Sequence, residues 1–152
     1  MTQTHIGTNS GSIIQKELLS AEKSLLICSP GISLSIGEKI FDMVKKGIEV
    51  KVITSEKGGS DSEKTNQLAI KLLNTEQNEI FTNLLNYKIV EQNKATLIHP
   101  KIYIIDDKCA IVGSANLTEN GFYNFVEFIQ LFTEKDEIKI IKNDFEKLWA
   151  LY

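Results

Sequence analysis

The sequence contains no arginine; all 17 of its Lys and Arg positions are lysine. The planar guanidinium fork that grips a phosphate or a guanine edge through two parallel bonds is therefore excluded. Any polyanion this chain binds must be held by lysine point charges, amides and backbone groups. A formal net charge of -3 argues against a strongly basic clamp, although clustered lysines still make local positive patches. Histidine is nearly absent, with only His5 and His99, and cysteine is limited to Cys28 and Cys109, each in an apolar stretch. Their spacing, with that of the carboxylates, suggests no zinc site, and no metal or other cofactor is expected. The cysteines read as buried, reduced thiols. No apolar run is long enough to span a bilayer, and the polar first twelve residues carry no signal-peptide pattern. A cytoplasmic protein without membrane contact is the expectation.

What remains is ordinary in bulk: 152 residues, 42% of them hydrophobic, enough for one core and a single domain over 1–152. Apolar spacing predicts a helix from Ile13 to about Glu22, capped by Ser12, and a strand over Ser24–Cys28, ended by Pro30 and Gly31. A helix follows over Ile36–Lys46, stopped by Gly47, and then a half-exposed strand over Ile48–Thr54. Glu56–Ser62 reads as a loop and Glu63–Leu85 as helical, broken near Asn74. Strands are expected at Tyr87–Val90, through Thr96–Ser114 with a turn at Asp107-Lys108, and at Phe125–Phe132. A short helix fits Leu117–Asn120, and an amphipathic helix fits Ile138–Leu151. Strands alternating with helices predict an α/β fold, a mixed β-sheet flanked by helices on both faces.

One stretch carries chemistry. On a strand, His99 and Lys101 project to one face. Folded as a hairpin about Asp107-Lys108, with Asp106 opposite Cys109, the chain sets Lys101 opposite Ser114 and His99 opposite Asn116. An imidazole, an ammonium, a hydroxyl and a carboxamide then share one patch. Lysine supplies charge, serine and asparagine supply neutral hydrogen bonds, and histidine supplies a nucleophilic or acid–base nitrogen, a set that suits a phosphate. The bland readings are that Asn116 only caps the helix after it, that Glu127 is a solvated strand residue, and that Tyr103, Phe122, Tyr123, Phe125 and Phe128 are core. Lys45, Lys46 and Lys51, and separately Lys135, Lys139, Lys142 and Lys147, read by default as solvated faces rather than a nucleic-acid track.

His99-x-Lys101, four residues, Asp106, six residues, then Gly113-Ser114-x-Asn116 resembles the HKD signature of the phospholipase D-like superfamily. Lys45-Lys46-Gly47-Ile48-Glu49-Val50 is similar to the helix-to-strand junction that precedes the motif there, and the likeness covers roughly residues 12 to 135. The resemblance implies that His99 is the nucleophile and forms a phosphohistidine, that Lys101 and Asn116 hold phosphate oxygens with Ser114 assisting, and that Asp106 stabilises local structure. It also implies that Glu127 orients His99 through the second ring nitrogen. Pro100, which cannot donate to a ladder, predicts a local irregularity between the two key residues. With one motif per chain, a homodimer with the active site at its two-fold interface is implied: one His99 attacks and the other protonates the leaving group. Small single-motif members of the superfamily resemble nucleases, so a nucleic acid substrate is expected, with an ATPase or helicase as a possible regulatory partner. A cytoplasmic phospholipase D, and a nucleic-acid-binding module of a larger defence or repair complex, are the alternative readings.

Overall fold

Side chains alternating between two faces build a central sheet that is apolar on both. In β3 (Glu49–Ser55), Val50 and Val52 point one way and Ile53 the other, all fully buried. The computed structural model describes residues 1–56, 66, 83–91 and 98–152. The predicted loop after Glu56 and helix up to Leu85 fall almost entirely outside the described residues. The other strands are β1 (Thr2–Gly7), β2 (Ser24–Cys28), β4 (Leu85–Val90), β5 (Ile102–Ile105), β6 (Cys109–Gly113) and β7 (Glu127–Phe132). The helices are α1 (Ser12–Leu19), α2 (Leu34–Lys45) and α3 (Lys135–Leu151), with a short π-helical turn at Asn120–Asn124; it begins later than the helix expected over Leu117–Asn120, because Leu117 bridges Ile32 instead. The seven strands lie in the order β1-β7-β6-β5-β2-β3-β4. β2, β3 and β4 are parallel and the remaining neighbours antiparallel, so the sheet is mixed, as the sequence predicts.

The helices cover both faces. Ile14 and Leu18 of α1 and Ile36, Ile40, Phe41 and Val44 of α2 pack on Leu25, Ile27, Val50, Tyr103 and Ile111. Each such buried aliphatic side chain stabilises the fold by about 1.5–3 kcal/mol. Ile138 and Phe145 of α3 pack on Leu26, Ile53, Ile104 and Ala110 of the other face. Trp149 stacks on Phe145 and lies beneath two ammonium groups, Lys88 at 4.9 Å and Lys51 at 5.3 Å from its ring centre. Lys88 also donates to the Trp149 carbonyl at 2.7 Å. Gly47 ends α2 with φ +93°, the left-handed conformation glycine tolerates best.

Two expectations need correcting, and one strand stands where none was expected. β1 is a strand of mostly polar residues: Thr2 to Gly7 pair with Phe132 to Glu127, and hydrophobic periodicity has nothing to report there. Helix α1 starts from Gly11, not from a Ser12 side-chain cap, since the Ser12 hydroxyl donates to the Asn9 carbonyl. The hairpin register is one residue off the two-residue-turn alignment: Ile105 pairs with Cys109 and Ile102 with Val112. Asp106 and Asp107 both take positive φ, 53° and 54°, and the Lys108 N–H closes the turn on the Ile105 carbonyl at 2.9 Å. Aspartate tolerates this conformation better than most side chains, which lets a primed turn form without glycine.

Candidate active site

The carboxyl ends of β2, β3 and β4, the amino ends of β5 and β7 and the carboxyl end of β6 all meet at one edge of the sheet. Crevices at such edges are where α/β sheets commonly hold ligands. His99, Pro100 and Lys101 lie just before β5, outside the ladder, which is the irregularity Pro100 predicts. The Cys28 thiol donates to the Pro100 carbonyl at 3.5 Å, and the Gly113 N–H reaches the Lys101 carbonyl at 3.4 Å. His99 is exposed, whereas Lys101 is buried. The Lys101 Nζ lies 3.1 Å from His99 Nδ1, 3.2 Å from its Nε2, and donates to its carbonyl at 2.8 Å. A buried amine is therefore fixed beside an accessible imidazole, a pairing fit to hold an anion against a nucleophile.

Beyond β6 the chain makes the second half of the site. Gly113 lies so close to β7 that an added Cβ would overlap the Phe128 carbonyl oxygen. The Ser114 hydroxyl donates to the buried Glu127 carboxylate and accepts from the Phe128 N–H at 2.9 Å. Glu127 is thus held on Ser114, where the sequence reading expects it on His99; both ring nitrogens of His99 face Lys101 instead. Asn116 is buried on the loop that follows, with its carbonyl accepting from the Thr118 N–H at 2.8 Å.

Asp106 sits at the hairpin tip, at the opposite end of β5. Its carboxylate accepts from the N–H groups of Glu22 and Lys23 at 2.8 Å and of Ser24 at 2.9 Å. Partial burial pushes its pKa up, but the N–H groups of Ser24, Glu22 and Lys23 and the Lys108 ammonium outweigh it, so the carboxyl is held below its usual value. Burial pushes both thiols up to about 12, partly offset at Cys28 by Lys101 and reinforced at Cys109 by Glu17, and both cysteines are free. His5 faces Ile129 on β1, three strands from β5, or roughly 14 Å at normal strand spacing. Tyr103 and Phe122 are core, while Tyr123, Phe125 and Phe128 are exposed. Of the lysines, Lys142 pairs with Asp107 at 2.8 Å and Lys147 with Asp144 at 3.3 Å, as a solvated face does. Sequence reasoning missed Ser29 and Gly121, which brace the Asn116 loop; neither stands in a pattern a linear reading could separate from an ordinary loop.

An imidazole and an ammonium on one extended segment, with a hydroxyl–carboxylate pair and a buried asparagine at the same sheet edge, are groups suited to holding and attacking a phosphate. The description "Cardiolipin synthase, PLD-like domain" matches residues 14–149, and the chain belongs to this phospholipase D-like family. It is 25% identical over 144 residues to a mitochondrial cardiolipin hydrolase of Canis lupus familiaris, a match covering 94% of the chain and 52% of that relative. The chain thus spans about half the length of that relative. Among solved structures, NucT from Helicobacter pylori superposes with TM-score 0.71 at 21% identity, covering 99% of this chain and 96% of that one. The phospholipase D family member Nuc from Salmonella typhimurium gives TM-score 0.71 at 15% identity, covering 99% and 95%. At these identities the structures establish the shared fold. Among the described residues, no helix is long and apolar enough to cross a membrane, and no cluster of three or more His, Cys, Asp or Glu is placed to hold a metal ion.

Proposed function

We propose that the protein is a metal-independent nuclease whose active site is shared by two copies of the chain. The observation that carries this is the accessible His99 imidazole with the buried Lys101 ammonium against it. In the first step a neutral His99 nitrogen attacks phosphorus, the P–N bond forms, the P–O bond to one nucleoside breaks, and the leaving oxygen takes a proton from the second copy's imidazole. In the second, that imidazole takes a proton from water, the hydroxide displaces the histidine, and a phosphomonoester leaves. Lys101, Ser114 and Asn116 hold the non-bridging oxygens, and Glu127 fixes Ser114. Asp106 supports the hairpin from its far end.

Two observations support the shared site. His5 stands too far along the sheet to serve as the acid, so one chain offers one imidazole. Exposed Ile6 and Phe128, paired across β1 and β7, with Val126, give a second copy an apolar surface next to Glu127. Nucleic acid is preferred to lipid because small single-motif members of the superfamily resemble nucleases and the chain overlaps NucT and Nuc end to end, whereas the lipid-named relatives it matches are about twice as long or longer.

The test is incubation of the protein with labelled single- and double-stranded DNA, RNA and a phosphatidylcholine analogue in excess chelator. Cleavage of nucleic acid, abolished in His99→Ala, is expected. Release of lipid head group alone moves the substrate to phospholipid, and binding without cleavage moves the protein to a recognition module.

A further inference from the structure

Asn116 is a short side chain on a loop, and a loop carboxamide holds an oxyanion well only if its backbone cannot wander. The peptide groups on both sides of it are tied down. On the near side, the buried Tyr103 hydroxyl donates to the Ala115 carbonyl at 2.8 Å. On the far side, the Leu117 N–H donates to the Ser29 hydroxyl at 2.9 Å. That hydroxyl in turn donates to the Gly31 carbonyl at 2.7 Å, so its own direction is set. The Ser33 N–H then donates to the Leu117 carbonyl at 3.1 Å, and Ile32 bridges Leu117 in parallel. Residues 29–33 therefore bracket Leu117 above and below. The bracket is itself anchored: the Ser29 N–H bonds the Ile53 carbonyl at 3.0 Å, the Ser55 hydroxyl bonds the Pro30 carbonyl at 2.7 Å, and Asn66 bonds both the Ile32 N–H and the Ser55 carbonyl. Ser29 is wholly buried, although it touches neither His99 nor Lys101 by any hydrogen bond among the described residues.

We propose that Ser29 is a positioning residue for the phosphate-holding Asn116, acting through the Leu117 N–H. The claim rests on the phosphodiesterase reading of the site. Cys28, the residue before it, bonds the Pro100 carbonyl between His99 and Lys101, so the last turn of chain out of β2 touches both halves of the site. Removing the Ser29 oxygen leaves the His99 half in place and frees the Asn116 half. The expected signature is thus a loss of transition-state holding with little loss of ground-state binding.

The test is steady-state hydrolysis of bis(p-nitrophenyl) phosphate by wild type, Ser29→Ala, Asn116→Ala and the double variant, with thermal melting alongside. In folded Ser29→Ala, kcat falls by about ten- to a hundredfold, the scale that small misplacements produce, and KM moves far less. In the Asn116→Ala background the same change costs nothing further, because residues acting as one unit are not additive. Wild-type kcat in folded Ser29→Ala, or independent multiplication of the two losses, overturns the proposal. If Ser29→Ala does not fold, Ser29→Cys, nearly isosteric with a weak acceptor, is expected to lower kcat in the same manner, and wild-type kcat there overturns the proposal equally. A readout free of turnover separates this from the reading it rests on. In 15N-labelled protein the side-chain amide pair of Asn116 is expected to shift and broaden in the Ser29 variant. An unchanged pair rejects the positioning claim, whereas inactive wild type with a shifted pair rejects only the phosphodiesterase reading.

Discussion

Removing the Asp106 carboxylate should weaken the fold and spare the chemistry. It lies five residues from Lys101, or about 16 Å along an extended chain, and it serves three backbone N–H groups. The bonds to Glu22 and Lys23 are exposed, so water replaces them in Asp106→Ala at small cost. The bond to Ser24 is partly buried, and losing it costs about 2 kcal/mol for a charged acceptor. Alanine at φ 53° adds about 1–2 kcal/mol of backbone strain. The sum is about 3–4 kcal/mol, or roughly 10 °C in Tm for a domain of this size. Asp106→Asn keeps one acceptor and tolerates the turn, so it should lose about half as much. Because the folded pKa lies below the usual value, the stabilisation by Asp106 is full above the unfolded value and is lost as pH falls through the folded one. The gap between wild type and Asp106→Asn in urea unfolding should therefore hold at pH 7 and 5 and shrink below about pH 4. Turnover per folded molecule should be unchanged. An Asp106→Ala protein of wild-type stability, or one stable but inactive, would refute the reasoning.

Gly121→Ala should destabilise by about 1–3 kcal/mol in denaturant titration, as overpacking does, because its Cβ would overlap the Asn116 carbonyl oxygen, and it should lower turnover as well. With the proposed shared site, turnover against pH should be bell-shaped, since one imidazole would lose a proton while its mate keeps one; a monotonic profile counts against paired histidines. Glu127→Gln should reduce kcat while leaving the melting temperature within a few degrees, because the amide can still accept from Ser114 without the charge; full activity would limit Glu127 to a packing role.

Much of the fold and the cluster was legible because both rest on short-range rules. Ser24–Cys28 was readable to the residue from its apolar run, and His99 with Lys101 from the two-residue period of extended chain. The strand that escaped, β1, is polar and is held by pairing to β7, more than a hundred residues away. The register escaped by one residue because two aspartates adopt a conformation that composition alone assigns to glycine or asparagine. Glu127 was readable as a residue near the site but not as the partner of Ser114, since β6 and β7 approach at Gly113 more closely than generic strand spacing conveys.

Trp149 is the only tryptophan in the chain, and it packs against the apolar cluster beneath the last helix. Flanked by two ammonium groups and stacked on Phe145, its indole emission should follow whether the last helix is docked. Intrinsic fluorescence is therefore an optical gauge of folding for every variant above, and because Ile98, next to His99, lies in the same cluster, a change in it on adding substrate would signal that binding is felt beneath the last helix.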